Sequence, residues 1–524
     1  MHGVGTNSVR KVTKHLYGKE RVRRVKAMNE LIKQLIEQAV RQRLIEPEDT
    51  VYARNRLLTL LGEAAYVDPG TVGTRPIPDL LDEMIEHQIT AGKLAPRLDE
   101  KERLAAELMD VFVDRPSQIT STFRQLYAEN PQQATDYFYQ LSQANNYIQT
   151  KRIAKNIQYQ ADTVYGEIDI TINLSKPEKD PREIAAAQTE VVESTYPTCL
   201  LCVENVGYAG RSNHPARANH RIVPLSLSGE PWALQYSPYV YYNEHSIILS
   251  QEHRDMVINR QAFTRLLEFV AQFPHYFAGS NADLPIVGGS ILTHDHYQGG
   301  RYEFAMDRAK TLQEFVLPDH PDVAGETLHW PLTVVRLSST DADALLDAAD
   351  DVYRTWLTYE DADHQILAAT NGVRHNTVTP IARMRGERFE LDLVLRNNRT
   401  STDHPDGIFH THADIHHIKR ENIGLIEVMG LAVLPARLLG ELEEVEQFVT
   451  GTAASTAPSH HTWATELKAA YNGQDVTEYV RQAVAAKFVR GLEDCGVFKQ
   501  TPGGQAGLDR FLETVSRQVA GDRR

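Results

Sequence analysis

At 524 residues the chain is long enough for two to four domains and a large buried core. Its 55 basic against 70 acidic residues leave a net charge of −15, which argues against general nucleic-acid binding and against attraction to an anionic membrane. Only three cysteines, no apolar run of membrane length and no hydrophobic signal region point to a reduced, cytoplasmic protein without a disulfide framework.

Residues 1–27 set Arg10, Lys11, Lys14, Lys19, Arg21, Arg23, Arg24 and Lys26 against one acid, Glu20, and read as a solvated basic extension. Helical period begins at Met28, a candidate start of translation, with Leu31, Ile32, Leu35, Ile36, Ala39 and Val40 on one face. Further helices follow through Leu80 to Ile85, Leu104 to Val113, and Pro116 to Tyr127, with Pro131 at the first turn of another. The period then changes, since Ile168, Ile170, Ile172 and Leu174 alternate with polar neighbours as a half-buried strand does. Asp180-Pro181 caps a helix expected from Glu183 to Val192, which closes a mostly helical region over 28–192.

Cys199-x-x-Cys202 is the first chemical signal. Two thiolates at this spacing can close on one zinc and need two further ligands for a tetrahedral structural site. A thioredoxin-like redox pair has the same spacing, but its strand-then-helix context is missing here. Ser237 to Leu249 reads as one or two strands, with His253 at their exit, and Gln261 to Phe273 as a helix. Next comes the glycine and histidine stretch from Gly288 to Gly300. If Thr293 to Gln298 is extended, His294, His296 and Gln298 project from one side. The glycines before them let the backbone approach a phosphate, N–H groups inward. The predicted zinc set is Cys199, Cys202, His253 and His294.

The order strand, helix, strand, His-x-His recurs: Leu332 to Leu337, Ala342 to Tyr359, Phe389 to Leu395, then His410-Thr411-His412. This predicts a duplicated half-domain, 193–330 and 331–445. The second copy has no cysteine pair and no glutamine two places after His412, and is read as a degenerate copy in preference to a second metal site. Ile423 to Leu439 is read as a buried helix kinked at Pro435. Thr450 to Ser459 is a linker, and amphipathic helices around a buried Cys495 complete a C-terminal segment over 446–524.

Cys199-x-x-Cys202, His253 after Leu249-Ser250-Gln251-Glu252, Gly288-Gly289-Ser290, His294-x-His296-x-Gln298 and the block His417 to Gly430 together resemble galactose-1-phosphate uridylyltransferases of the class II branch, from about Met28 onward. The resemblance implies an α+β fold of two tandem histidine-triad-like halves, each a small antiparallel sheet with helices. It implies exchange of UMP between UDP-glucose and galactose 1-phosphate, in galactose metabolism, by a ping-pong route through a uridylyl-histidine. His296 matches the family nucleophile, and a neutral imidazole suits attack on phosphorus. Gln298 would donate to a phosphoryl oxygen, and unlike the third histidine of triad hydrolases it cannot protonate a leaving group. His294 would ligate a structural Zn2+. The uridylyl pocket would draw on Gly288, Gly289 and Ser290, with Asn205, Arg211, Arg217 and Arg221 as candidates to bind phosphate. Glu303, His410 and His412 are the nearest candidates for a second metal. The partners implied are UDP-hexose and hexose 1-phosphate, and a homodimer is among the assemblies this reading admits. The rival readings are a dinucleoside polyphosphate phosphorylase or other nucleotidyltransferase of the superfamily, and a non-catalytic zinc-binding module.

Overall fold

A computed structural model describes residues 25–175, 195–289 and 291–522. The basic extension up to residue 24, the helix expected from Glu183 to Val192, and Ser290 lie outside the described residues. The described residues form two compact units, one over 25–151 with 195–223 and the other over 152–175 with 224–289 and 291–522. Among the described residues no helix is long and apolar enough to cross a membrane.

The first unit is helical, with helices over 25–41, Thr50–Leu61, Ile77–Thr90, Leu98–Asp110, Pro116–Glu129 and Pro131–Ala144. Proline opens two of them, at the position where a missing N–H breaks no helical bond. Asn130 caps the last, its side chain accepting from the Gln132 N–H at 2.8 Å. The apolar face read at Leu31, Ile32 and Leu35 is buried with Leu57, Leu80, Leu81, Met84, Leu108 and Met109. Each such side chain stabilises the fold by about 1.5–3 kcal/mol.

The second unit is built on a ten-stranded sheet. A hairpin precedes it, β1 (Ile157–Thr163) and β2 (Gly166–Asn173). The first five sheet strands are β3 (Val223–Leu227), β4 (Glu230–Tyr236), β5 (Ser246–Ser250), β6 (Phe277–Gly279) and β7 (His296–Gly300). Then come β8 (Thr311–Val316), β9 (Ala324–Leu328) and β10 (Val334–Ser339), a short ribbon of β11 (Ala369–Thr370) and β12 (Val373–Arg374), and β13 (Asn376–Arg385) with β14 (Arg388–Asn397). The sheet order is β3-β4-β5-β7-β6-β13-β14-β10-β9-β8.

That order contains its own repeat. Counted inward from either edge, three strands run in chain order, the fifth strand of the half comes next, and the fourth lies innermost. In each half a helix connects the third strand to the fourth, Arg260–Gln272 in one and Ala342–Thr358 in the other. The two innermost strands, β6 and β13, pair antiparallel through Gly279↔Ile381 and Ala278↔Ala382. A side chain at Gly279 would fall 2.9 Å from Leu425 Cδ1 and 3.1 Å from the Pro380 carbonyl, so the seam closes only around glycine.

Two local expectations change. The apolar run from Ile423 is one helical turn, Leu425–Val428, followed by a strand β15 (Leu431–Pro435) and the helix Leu438–Thr450. β15 pairs parallel with β2, Ala432 opposite Ile170, because Gly430 at φ 98° ends the turn where a Cβ would meet Trp330 and Ala305. His410 and His412 also lie beyond β14 in a loop, past Gly407 at φ 124°, and not on the strand that matches β7.

The second half encloses a charged cluster. Arg336 grips Asp392 through two hydrogen bonds at 2.6 and 3.0 Å, and Arg383 reaches Asp392 at 2.8 Å and Asp307 at 2.6 Å. Burial alone would raise the Asp392 carboxyl, but the two guanidinium groups hold it below the usual range. A carboxylate so depressed contributes stability fully above its unfolded value of about 4, and that contribution is lost as pH falls through the lower folded value. Asp392→Ala leaves two buried cations short of a partner and should destabilise this unit by about 3–5 kcal/mol. Thermal melts should show the gap from parent narrowing below about pH 4. Equal melting temperatures at neutral pH would refute this role.

Candidate active site and metal centre

β7 is laid between β5 and β6, with His296 opposite Leu249, and Gln298 opposite Ile247 on one side and Gly279 on the other. Extended backbone puts His296 and Gln298 on the same face, as their spacing predicts. His296 is buried, and its Nδ1–H donates to the His294 carbonyl at 2.7 Å. That bond fixes the tautomer and leaves Nε2 with the lone pair. Burial pushes the imidazole down to about 4, so it is neutral near pH 7 and able to attack an electrophile.

Gly288 and Gly289 form the approach to this strand and have no room for side chains. A Cβ on Gly288 would fall 2.5 Å from the Ala282 carbonyl, and one on Gly289 2.7 Å from Asn281 Nδ2. Asn281 is in turn bound to the late block, its Oδ1 accepting the Leu425 N–H at 2.8 Å, while Asn422 Nδ2 reaches the Gly288 carbonyl at 3.4 Å. The glycine loop and the segment opening at Asn422 are therefore joined directly. Nothing local in the sequence marks Asn281 for this task.

Cys199, Cys202, His253 and His294 come together, one ligand atom from each lying within 4.8 Å of the others. The two sulfurs are 3.5 Å apart. That is far beyond a disulfide bond of about 2.05 Å, and close to the edge of about 3.8 Å that two thiolates make on one tetrahedral zinc. Burial and the neighbouring thiol raise the Cys202 pKa, so a second negative sulfur here calls for a cation. The knuckle is braced by Asn205, whose Nδ2 donates to the Cys199 and Cys202 carbonyls, both at 2.8 Å, and whose Oδ1 accepts from His214 at 2.7 Å. His294 Nε2–H donates to the Ser250 carbonyl at 2.8 Å, the bond that orients a ligating imidazole to present Nδ1. This donor set fits one zinc-like ion.

Among the described residues no second group of three such ligands occurs. His412 is held by Asp494 and the Ile408 carbonyl, His410 by Thr411, and Glu303 is largely exposed near Arg308. The arginines divide. Arg221 is buried and spends its fork on Asp110 and on the carbonyls of Ala218, His220 and Asp114. Arg211 bonds Asn213 and Tyr208, and Arg217 lies over the Tyr147 ring. His245, unremarked in the sequence, places Nε2 3.0 Å from Gln298 Oε1.

Residues 43–255 match the family described as Galactose-1-phosphate uridyl transferase, N-terminal domain, and residues 268–465 its C-terminal domain. A galactose-1-phosphate uridylyltransferase of Streptococcus pneumoniae (strain Hungary19A-6) is 50% identical over 491 residues, 93% of this chain and 99% of that protein. One from Clostridium perfringens (strain 13 / Type A) is 48% identical over 495 residues, with the same coverage of 93% and 99%. A crystal structure of yeast Ap4A phosphorylase Apa2 covers 61% of the chain at 13% identity and a TM-score of 0.30, a likeness too slight to bear on the fold.

Proposed function

This chain belongs to the galactose-1-phosphate uridylyltransferase family and is a nucleotidyltransferase; from that premise we propose how its own residues exchange UMP between UDP-glucose and galactose 1-phosphate. His296 is the nucleophile. Its Nε2 attacks the α-phosphorus of UDP-glucose, the bond to the β-phosphate oxygen breaks, and glucose 1-phosphate leaves with that electron pair. The phosphoramidate so formed keeps its Nδ1–H on the His294 carbonyl, which stabilises the positive charge that the ring acquires. Galactose 1-phosphate then attacks the same phosphorus from the vacated side and restores the imidazole.

Gln298 donates its amide to a non-bridging phosphoryl oxygen, where negative charge collects in the transition state. The glycine loop, with Ser290, receives the uridylyl group by family resemblance, its backbone held in place where Gly288 and Gly289 pack against the Ala282 carbonyl and Asn281. Arg211 and Arg217 are candidates for phosphate charge by family resemblance, with Asn205 and Arg221 acting one step back as braces. Cys199, Cys202, His253 and His294 would hold a Zn2+ ion, which with four protein ligands would supply cross-linking and not Lewis acidity. The observation that carries the reading is a neutral, buried His296 with its tautomer set by the backbone two residues before it.

Ping-pong exchange predicts that the enzyme moves label between UDP-glucose and glucose 1-phosphate with no galactose 1-phosphate present. Absence of that partial exchange, with full turnover intact, would refute the covalent route. Gln298→Ala should lower kcat by roughly 10²-fold with little change in KM for UDP-glucose. An unchanged kcat would remove Gln298 from the mechanism.

A further inference from the structure

The role given to Gln298 requires its N–H, not its carbonyl oxygen, to face the phosphoryl group. A carboxamide is nearly symmetric in shape, so something must choose between its two orientations. We propose that His245 makes this choice, acting as a positioning residue that holds Gln298 Oε1 inward so that Nε2–H2 is presented to the transferring group.

Three observations support this. His245 is buried, with Nε2 3.0 Å from Gln298 Oε1 and no hydrogen-bond partner for Nδ1. If Nε2 accepted from a flipped amide, Nδ1 would carry a buried, unpaired N–H. With Nε2–H donating, only a lone pair is left over, the lesser penalty. Burial also pushes this imidazole down to about 4, so it carries a single hydrogen throughout the working pH range.

The ring has little freedom to let go. Its backbone is pinned from both sides, the His245 N–H donating to the Tyr242 carbonyl at 3.2 Å and its carbonyl accepting the Ser237 N–H at 2.9 Å. The Tyr242 ring lies 4.5 Å away by centroids and the Tyr241 ring 5.5 Å. Glu244, in the left-handed region at φ 56°, turns the chain into β5, and its buried carboxylate accepts from Tyr276 and Arg301. Gly300 completes the fit, since a Cβ there would fall 2.8 Å from the Glu244 carbonyl. The corner that carries His245 is thus seated on the end of the strand that carries Gln298.

This inference rests on the reading of His296 and Gln298 given above, and the test separates the two. Formation of uridylyl-enzyme from UDP-glucose is timed by rapid quench for the parent, His245→Phe, His245→Gln, Gln298→Ala and the double variant, with metal content and melting temperature measured on each. His245→Phe should slow the step by roughly 10- to 100-fold, as expected of a displaced transition-state donor, with KM for UDP-glucose within a few-fold of parent. His245→Gln, which can place an amide N–H near the Nε2 position, should recover most of the rate and keeps the test open if the Phe variant folds poorly. Adding His245→Phe to Gln298→Ala should cost no further rate. The proposal is overturned by a His245→Phe rate within twofold of parent, by no recovery in a folded His245→Gln, or by losses that multiply in the double variant. A parent that never becomes uridylylated would instead overturn the functional reading, and this inference with it.

Discussion

His296→Asn should abolish uridylyl transfer, by on the order of 10⁴-fold or more, while metal content and melting temperature stay close to parent. The size follows from the role, because removing a covalent nucleophile leaves only binding and charge stabilisation, and the two-step route closes. The selectivity follows from the geometry. His296 is tied to the metal centre through the backbone of His294, its side chain bonding a carbonyl that is not one of the four ligand atoms. A variant that keeps exchange activity would show that the attacking group lies elsewhere. One that loses its metal would show that the ring helps to build the centre.

Cys202→Ser should give the opposite pattern, with metal lost first, stability falling by several kcal/mol, and activity failing as a consequence. Binding energy at a structural zinc site is folding energy, and a serine hydroxyl does not replace a thiolate on zinc. The damage would spread along a short covalent path. His294 is a member of the quartet, its carbonyl orients His296, and β7 begins two residues on. Freed of its anchor, His294 should allow His296 to lose its tautomer and its aim. Metal analysis and melting of the purified variant test this directly. Full metal content with an unchanged melting temperature would show that the cysteines serve something other than a metal.

What the sequence made legible was chemistry borne by residue type at fixed spacing. Two thiolates three residues apart, and a histidine and a glutamine alternating along β7, carry their own local geometry, whereas His294 lies in a bend ahead of that strand and not on the extended run its spacing suggested. The doubled strand and helix order was legible for a similar reason, since it is a pattern of periods. Elements decided by pairing across the chain were not. β15 reads as helix because a five-residue apolar run carries no distinguishing period, and only its partner β2, more than 250 residues earlier, makes it a strand. His245 is one of 21 histidines, and its meaning depends on β5 lying beside β7 so that Ile247 faces Gln298. Arg221 offered a fork suited to phosphate, yet Asp110 and three nearby carbonyls take it up. The second His-x-His matched the first in spacing, but Gly407 turns the chain before it, so no strand presents it.

The central claim is that His296 becomes bonded to phosphorus during turnover. Incubation with UDP-glucose and no acceptor, followed by intact-mass analysis and peptide mapping under alkaline conditions that preserve phosphoramidates, measures this most directly. The account predicts a gain of one uridylyl group per chain, located on His296 and removed by galactose 1-phosphate. Nucleotide that never attaches to the chain, or that attaches at a different side chain, would contradict it.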